Sequence, residues 1–168
     1  MESRVLHSPR AVVAALGLFA CLVAGAGVGV ASTGRFATLD ERIAGAQKVV
    51  VASARSVDAS WRENTFGDRL IVSRVLLNVE ETLKGTPSNS PVWMEMEGGT
   101  LDGMTLRVSD LPELQPGERA VFFLDQGENG ISTPHLRGQG ILKLDNDDVV
   151  RGSSLRLDAI RTLARGRR

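Results

Sequence analysis

The fold class is decided by the stretch Lys48-Val49-Val50-Val51-Ala52-Ser53-Ala54. Three consecutive valines favour an extended strand over a helix, because their branched side chains are stiff and pack well on a pleated surface. The run is apolar without alternation, which is typical of a strand covered on both faces. Residues 48–54 therefore predict a buried strand in a mainly β domain.

Further strands are predicted on the C-terminal side of this stretch. In residues 92–97, Val and Met alternate with Trp and Glu, so that one face of a strand is apolar. Polar residues and Gly67 predict a hairpin loop over Trp61–Asp68, and the glycines of Gly98–Gly103 predict a bulge or sharp bend. The predicted strands are Arg69–Glu81, Val92–Glu97, Met104–Val108, Arg119–Leu124 and Ile131–Leu136, with a last hairpin from Gly140–Leu144 and Val149-Val150.

Two helices are predicted, one before and one after the strands. Thr38 and Glu41 have the spacing of a capping box, and Leu39, Ile43 and Ala46 then share one helical face. At the other end, Ser153 or Ser154 is expected to cap a C-terminal helix. The residues expected on the apolar side of that helix are Leu155, Ala159, Ile160 and Leu163.

These elements predict one domain over residues 36–168. Five or more strands with short connections must protect their edges, and a sheet that closes into a small barrel does so. We therefore expect a mainly β fold, a small OB-like closed barrel flanked by a short N-terminal helix and a C-terminal helix. A β-sandwich is the alternative.

The strand sequences resemble netrin-type modules and tissue inhibitors of metalloproteinases, a pattern also carried by uncharacterised bacterial secreted proteins. The similar stretches are Ala46–Ala54, Val75–Leu83 followed by Lys84-Gly85, and Pro116–Leu124, in the same order as in that family. The resemblance implies an OB-like barrel. It does not imply metalloproteinase inhibition, because those inhibitors bind the catalytic zinc through an N-terminal cysteine that the predicted mature chain lacks.

Residues 1–31 have the layout of an export signal. Arg4 and Arg10 precede a stretch without any charge, residues 11–31, that ends in small residues. Ala26 and Ala31 are the candidate cleavage residues. Three interpretations stay open: a cleaved signal peptide, an uncleaved N-terminal membrane anchor, or a lipoprotein signal around Cys21. All three place the domain outside the cytoplasm, either secreted or periplasmic.

The composition excludes several kinds of site. Lys+Arg and Asp+Glu are both 20 in a chain of 168 residues, so net charge gives no reason to expect nucleic acid as a partner. The single cysteine, Cys21, lies in the export segment, which leaves the predicted domain without disulfides or thiol ligands. His7 and His135 are the only histidines, so a multi-histidine metal site is excluded. We predict no catalytic residue, no cofactor and no metal.

Three residues are candidates for a binding surface, namely Trp61, Trp93 and His135. His135 is the only imidazole of the predicted domain, and its neighbours include Ser132 and Thr133, but no nucleophile motif accompanies it. Trp93 shares a strand face with two glutamates, and we expect the C-terminal helix to cover it. The acidic run Asp145–Asp148 lacks the spacing of a calcium loop and predicts a polar hairpin turn.

The predicted function is a non-enzymatic binding or interaction module of unknown specificity outside the cytoplasm. The loops around Trp61–Gly67 and Gly98–Gly103 are the expected recognition elements. We expect a protein or another envelope component as the partner, membrane contact through the N-terminal segment alone, and a monomeric chain. The alternatives are a modified protease inhibitor and a hydrolase whose site is assembled from distant residues.

Overall fold

The computed structural model describes residues 35–87 and 91–166. The predicted export segment, with Ala26 and Ala31, lies outside the described residues. The chain divides into two compact units, and the second, Phe36–Arg168, contains the helices and strands given below. Within the described ranges, neither helix has the length and apolar character needed to span a bilayer.

The described residues form two α-helices and eight strands. The helices are α1 (Leu39–Gly45) and α2 (Leu157–Arg165). The strands are β1 (Lys48–Glu63), β2 (Arg69–Lys84), β3 (Val92–Glu97), β4 (Gly99–Leu101), β5 (Met104–Leu106), β6 (Arg119–Gln126), β7 (Ser132–Pro134) and β8 (Ile141–Lys143). Short 3₁₀ turns span Glu128–Gly130 and Arg137–Gly140.

Five strands close into a barrel in the order β1-β2-β3-β7-β6-β1. The β3–β7 pair is parallel and the other four pairs are antiparallel. β8 pairs with β6, and β4 and β5 form a separate hairpin. The predicted OB-like closed barrel is therefore confirmed, and the sandwich alternative is wrong.

Strand β1 is buried on both faces over Val49–Ala52, as its valine run predicts. Val50 packs inside the barrel together with Phe122 of β6, while Val49 and Phe123 pack on the outer side. All four side chains are fully buried. Burying a side chain of this size contributes about 1.5–3 kcal/mol, so both faces of these two strands contribute to stability.

The two helices cover the outer face of β1 and β6. The buried face of α2 consists of Leu157, Ile160 and Ala164, and α1 contributes Ile43 to the same apolar cluster. The capping box of α1 is present as predicted, because the Thr38 side chain accepts from Glu41 N and the Glu41 carboxylate accepts from Thr38 N.

The N-terminal boundary of α2 differs from the prediction. The helix begins at Leu157 after Arg156, which provides no side-chain cap. Ser153 is not the cap, because its hydroxyl donates to Val150 O and accepts from Leu155 N in the preceding turn. Because the helix begins later than predicted, different residues lie on its buried face. Leu155 packs on the outer cluster from before the helix, whereas Ala159 and Leu163 are exposed.

The first hairpin is longer than predicted. Strand β1 continues through Trp61 to Glu63, so the predicted loop Trp61–Asp68 is reduced to a turn. In this turn the Asn64 carbonyl accepts from Gly67 N, and the Asn64 side-chain oxygen accepts from Phe66 N and Asp68 N. The side-chain bonds and the positive φ of Gly67 complete the turn within few residues, which leaves Trp61 in the strand.

Lys84, the last residue of β2, closes the C-terminal end of α1. Its Nζ donates to three carbonyl oxygens, those of Ile43, Ala44 and Ala46, at 2.6–2.8 Å. The last carbonyls of a helix have no intrahelical donors, and the helix dipole favours a cation there. This one side chain therefore attaches α1 to the barrel.

We predict that Lys84→Met lowers the free energy of unfolding by about 1–3 kcal/mol, because it leaves three carbonyls without a charged donor. Lys48→Met is the matched control, since the Lys48 side chain makes no hydrogen bond or ion pair with a described residue. Urea denaturation of both variants and the wild type measures the difference. Equal losses for the two variants would contradict this role of Lys84.

A candidate binding cleft at the barrel mouth

One end of the barrel opens into a cavity of about 420 Å³. We call it the mouth cleft. One wall is formed by β1 and β2, and the opposite wall by Leu106 and the irregular segment 107–116. A cavity of this size falls in the range of small-ligand sites.

The floor of the mouth cleft is the apolar core of the barrel. Val75, Met96 and Leu114 line the cavity and also belong to the inner cluster of buried side chains. Val57 and Leu111 are partly buried against that cluster and line the cavity as well. An entering ligand therefore meets an apolar surface that is continuous with the protein interior.

A sharp bend between β3 and β4 shapes one side of the cleft. Gly98 and Gly99 both have positive φ, +99° and +135°, and the Ser73 hydroxyl donates to Gly98 O at 2.7 Å. A Cβ on Gly99 would lie 2.5 Å from Ser73 Oγ, so this approach needs glycine. The bend predicted for Gly98–Gly103 is confirmed, and its first residues line the cleft.

Ion pairs lie on the loops around the cleft. Arg107 pairs with Glu113 at 2.9 Å across the irregular segment, and Arg137 pairs with Glu97 at 3.0 Å. Arg137 also hydrogen-bonds Asp110, and this bond holds the pKa of the Asp110 carboxyl below its ordinary value. Hydrogen bonds to Asp110 and Glu97 raise the pKa of Arg137. The segment 107–113 is thereby attached to β3 and to the Arg137–Gly140 turn.

Glu118 anchors the end of the same segment. Its backbone oxygen accepts from Ala54 N, and its carboxylate accepts from Lys143 at 2.7 Å and Arg151 at 2.9 Å. Burial by itself would raise the pKa of Glu118, but the bonds from Lys143, Gln115 N and Arg151 outweigh burial and lower the pKa. The ionised form is therefore the one that stabilises the fold.

A group whose folded pKa is lowered stabilises above its unfolded pKa, and this contribution is lost as the pH falls through the folded pKa. We predict that Glu118→Gln lowers the free energy of unfolding by about 1–2 kcal/mol at pH 7, and that its difference from wild type shrinks below pH 4.5, the ordinary pKa of the carboxyl.

Denaturation at pH 7 and at a pH well below 4.5 measures this difference. Glu113→Gln is the control in the same segment, because the Arg107–Glu113 pair is exposed and worth little. A loss in Glu118→Gln that is the same at both pH values would contradict the ionic role of Glu118.

His135 lies outside the mouth cleft and forms a pair with an acid. Its Nδ1 is 2.7 Å from Asp125 Oδ2, and its side chain is only 15% exposed. Nε2 faces α1, since a Cβ on Gly45 would lie 2.5 Å from that atom. No hydroxyl among the described residues bonds to the imidazole. The imidazole therefore lies between Asp125 and α1.

The two tryptophans lie on different parts of the barrel. Trp93 is 39% exposed on the outer face of β3 and lines a shallow hollow with Lys48 and Asp125, whereas α2 covers β1 and β6. The expectation that the C-terminal helix covers Trp93 is therefore wrong. Trp61 lies near the end of β1, with Arg69 stacked on its ring 4.7 Å from the centroid. Neither tryptophan nor His135 lines the mouth cleft.

Sequence reasoning did not single out the wall formed by segment 107–116. The signal is the pair Leu111 and Leu114, two large apolar residues on either side of Pro112 in an otherwise polar stretch. The acidic run 145–148 is a turn as predicted, in which Asp145 accepts from Asp147 N and Val149 N. Within the described ranges, no three acidic, histidine or cysteine side chains form a metal-binding group.

Comparison with known proteins finds no relative of this chain. No family model matches the chain, and the search among curated proteins finds no match either.

Proposed function

We propose that this protein is an extracytoplasmic binding module without enzymatic activity, and that the mouth cleft receives an apolar group of a partner protein or another envelope component. The observation that carries the proposal is the floor of the cleft, where Val75, Met96 and Leu114 of the barrel core line an open cavity. Burial of one aliphatic side chain there contributes about 1.5–3 kcal/mol of binding free energy.

The walls of the cleft favour selective binding over general adhesion. The apolar floor is surrounded by charged side chains that are already paired, including Arg107 with Glu113 and Arg137 with Glu97. Paired charges at a rim keep a free apolar cavity soluble and leave the apolar group to supply the affinity. The non-enzymatic part of the proposal is supported by the Asp125–His135 pair, whose remaining nitrogen faces α1 rather than an open cavity.

The cleft predicts a matched pair of variants in the β4–β5 hairpin. Leu106→Asp places a charge in the wall of the cleft, whereas Leu101→Asp places it on a half-buried residue of the same hairpin outside the cleft. We expect peptides selected from a random displayed library against the purified wild type to lose about 10–100-fold in affinity for Leu106→Asp and little for Leu101→Asp.

Titration calorimetry with the selected peptides gives the affinities, and urea denaturation checks that both variants fold. Equal affinity for the wild type and a folded Leu106→Asp variant would contradict the cleft as the binding site.

The extracytoplasmic location rests on residues 1–31 and has its own test. A reporter enzyme that requires disulfides is active only outside the reducing cytoplasm. We predict that the full chain, fused at its C-terminus to such a reporter, gives activity, and that replacing Ala14 and Leu18 by Asp in the apolar stretch abolishes it. Activity that persists in the doubly charged variant would contradict export through this segment.

The netrin-type resemblance stays a prediction, as do the inhibitor and hydrolase alternatives. The three similar stretches coincide with β1, β2 and β6, and the observed barrel agrees with the fold that the resemblance implies. The same barrel hosts many unrelated functions, so the proposal rests on the cleft and not on the fold.

A further inference from the structure

Strand β1 has a free edge along its C-terminal half. β6 pairs with β1 only over Lys48–Ser53, and the last backbone bonds on that side join Ala54 to Gly117 and Glu118. From residue 56 to residue 63, β1 pairs with β2 alone, and Arg55 falls at a β-bulge without a partner in β2. An unpaired strand edge presents donors and acceptors that another chain can use.

The register of the hairpin shows which backbone groups face this edge. Asn64 N donates to Asp68 O, so the pair 64–68 is hydrogen-bonded, and bonded pairs recur at every second residue. The even-numbered residues from 62 back to 56 thus bond β2. The outward N–H and C=O groups belong to Val57, Ala59, Trp61 and Glu63, and none of them has a backbone partner among the described residues.

Two opposite charges lie at the ends of this edge. Arg55 and Glu63 are exposed, and neither side chain forms a hydrogen bond or an ion pair with a described residue. The other charged side chains in this part of β1 already have partners, since Arg62 pairs with Glu95 and Asp58 accepts from Ser56. The edge therefore carries one free cation and one free anion in the described part, eight residues apart.

We propose that the occupant of this edge is a second copy of the chain, joined through antiparallel β1–β1 pairing with Ala59 opposite Ala59. This register places Arg55 opposite Glu63 of the second copy, twice by symmetry. Val57 then faces Trp61 of the second copy, an aromatic and β-branched pair that stabilises sheets. The outward groups of 57, 59 and 61 meet as hydrogen-bonded pairs, and the interface has the self-complementarity that a two-fold axis requires.

The neighbouring registers are less favourable. Shifting the axis to Asp58 sets Asp58 against its own copy, and like charges directly opposite destabilise a sheet. Shifting it to Ser60 sets Val57 against Glu63 and leaves Arg55 without its partner. A one-residue slip between the strands sets residues that already bond β2 opposite residues whose backbone groups face the edge, so the two cannot pair. The charges that discourage other pairings therefore select the Ala59 register.

The proposed dimer takes the place of the expected monomer. It also brings Trp61 of the second copy to the mouth cleft. Val57 and Ala59 line the cleft wall, and paired residues of a sheet point to the same face. Trp61 of the second copy thus lies beside Val57 at the rim of the cleft. This pairing does not depend on the proposed binding function, because it needs only the edge.

Charge reversal tests the pairing in the full-length protein. Sedimentation velocity over a concentration series should show a monomer–dimer equilibrium for the wild type. Glu63→Arg sets two arginines opposite each other in both symmetric pairs and should raise the dimer dissociation constant about tenfold or more. The swapped double variant Arg55→Glu/Glu63→Arg restores opposite charges and should recover the wild-type constant. A wild type that stays monomeric, or a double variant as weak as the single one, overturns the proposal.

Cross-linking tests the register. In a Cys21→Ser background, Ala59→Cys supplies the chain's single thiol, and the Cα atoms of a hydrogen-bonded pair lie about 5.5 Å apart, within disulfide range. Oxidation should give covalent dimers of Ala59→Cys, and Ser60→Cys should give few. Cross-linking through residue 60 instead of 59 overturns the register. Binding of a peptide to the edge of a monomeric protein would identify a foreign strand as the occupant and overturn the dimer.

Discussion

Strand β1 pairs with β2 on one side and with β6 on the other, and the rest of the barrel depends on this double pairing. Over Lys48–Ser53 both edges of the strand are bonded, which closes the sheet. Once the sheet is closed, one face of β1 lies inside the barrel and the other lies outside it. Val50 then faces the inner core, and Val49 faces the outer cluster under the helices. A single run of valines thus supports both apolar layers.

The point where β6 leaves β1 determines both functional features. After Ala54 the chain of β6 turns away through Gly117, and β1 continues for a further nine residues as an arm with β2. The end of the barrel is then covered by the irregular segment 107–116 instead of a paired strand. The mouth cleft lies between this segment and the wall formed by β1 and β2. The free edge of β1 is the other consequence of the same departure.

His135 shows how composition and geometry assign different roles to one residue. As the only imidazole in the domain it is the natural candidate for acid–base chemistry, and an acid, Asp125, lies at hydrogen-bond distance as such chemistry needs. The third requirement is access for a reacting group to Nε2, and this atom faces Gly45 of α1. The imidazole therefore packs against α1. Lys84 attaches the same helix through its three carbonyl bonds.

The closed barrel followed from the number of strands and the need to protect their edges. Local chemistry in the sequence was sufficient for most of the strands and for the capping box of α1, because side-chain branching, alternation and turn residues act within a few positions. It was insufficient where a choice depends on distant partners. Trp61 lies in a strand because the Asn64 turn closes later than its polar neighbours suggest, and α2 begins at Leu157 because Ser153 already bonds Val150 O. The cleft and the free edge arise from the place where two strands separate, and only the tertiary structure determines that place, since it reflects the packing of residues up to about 60 positions apart.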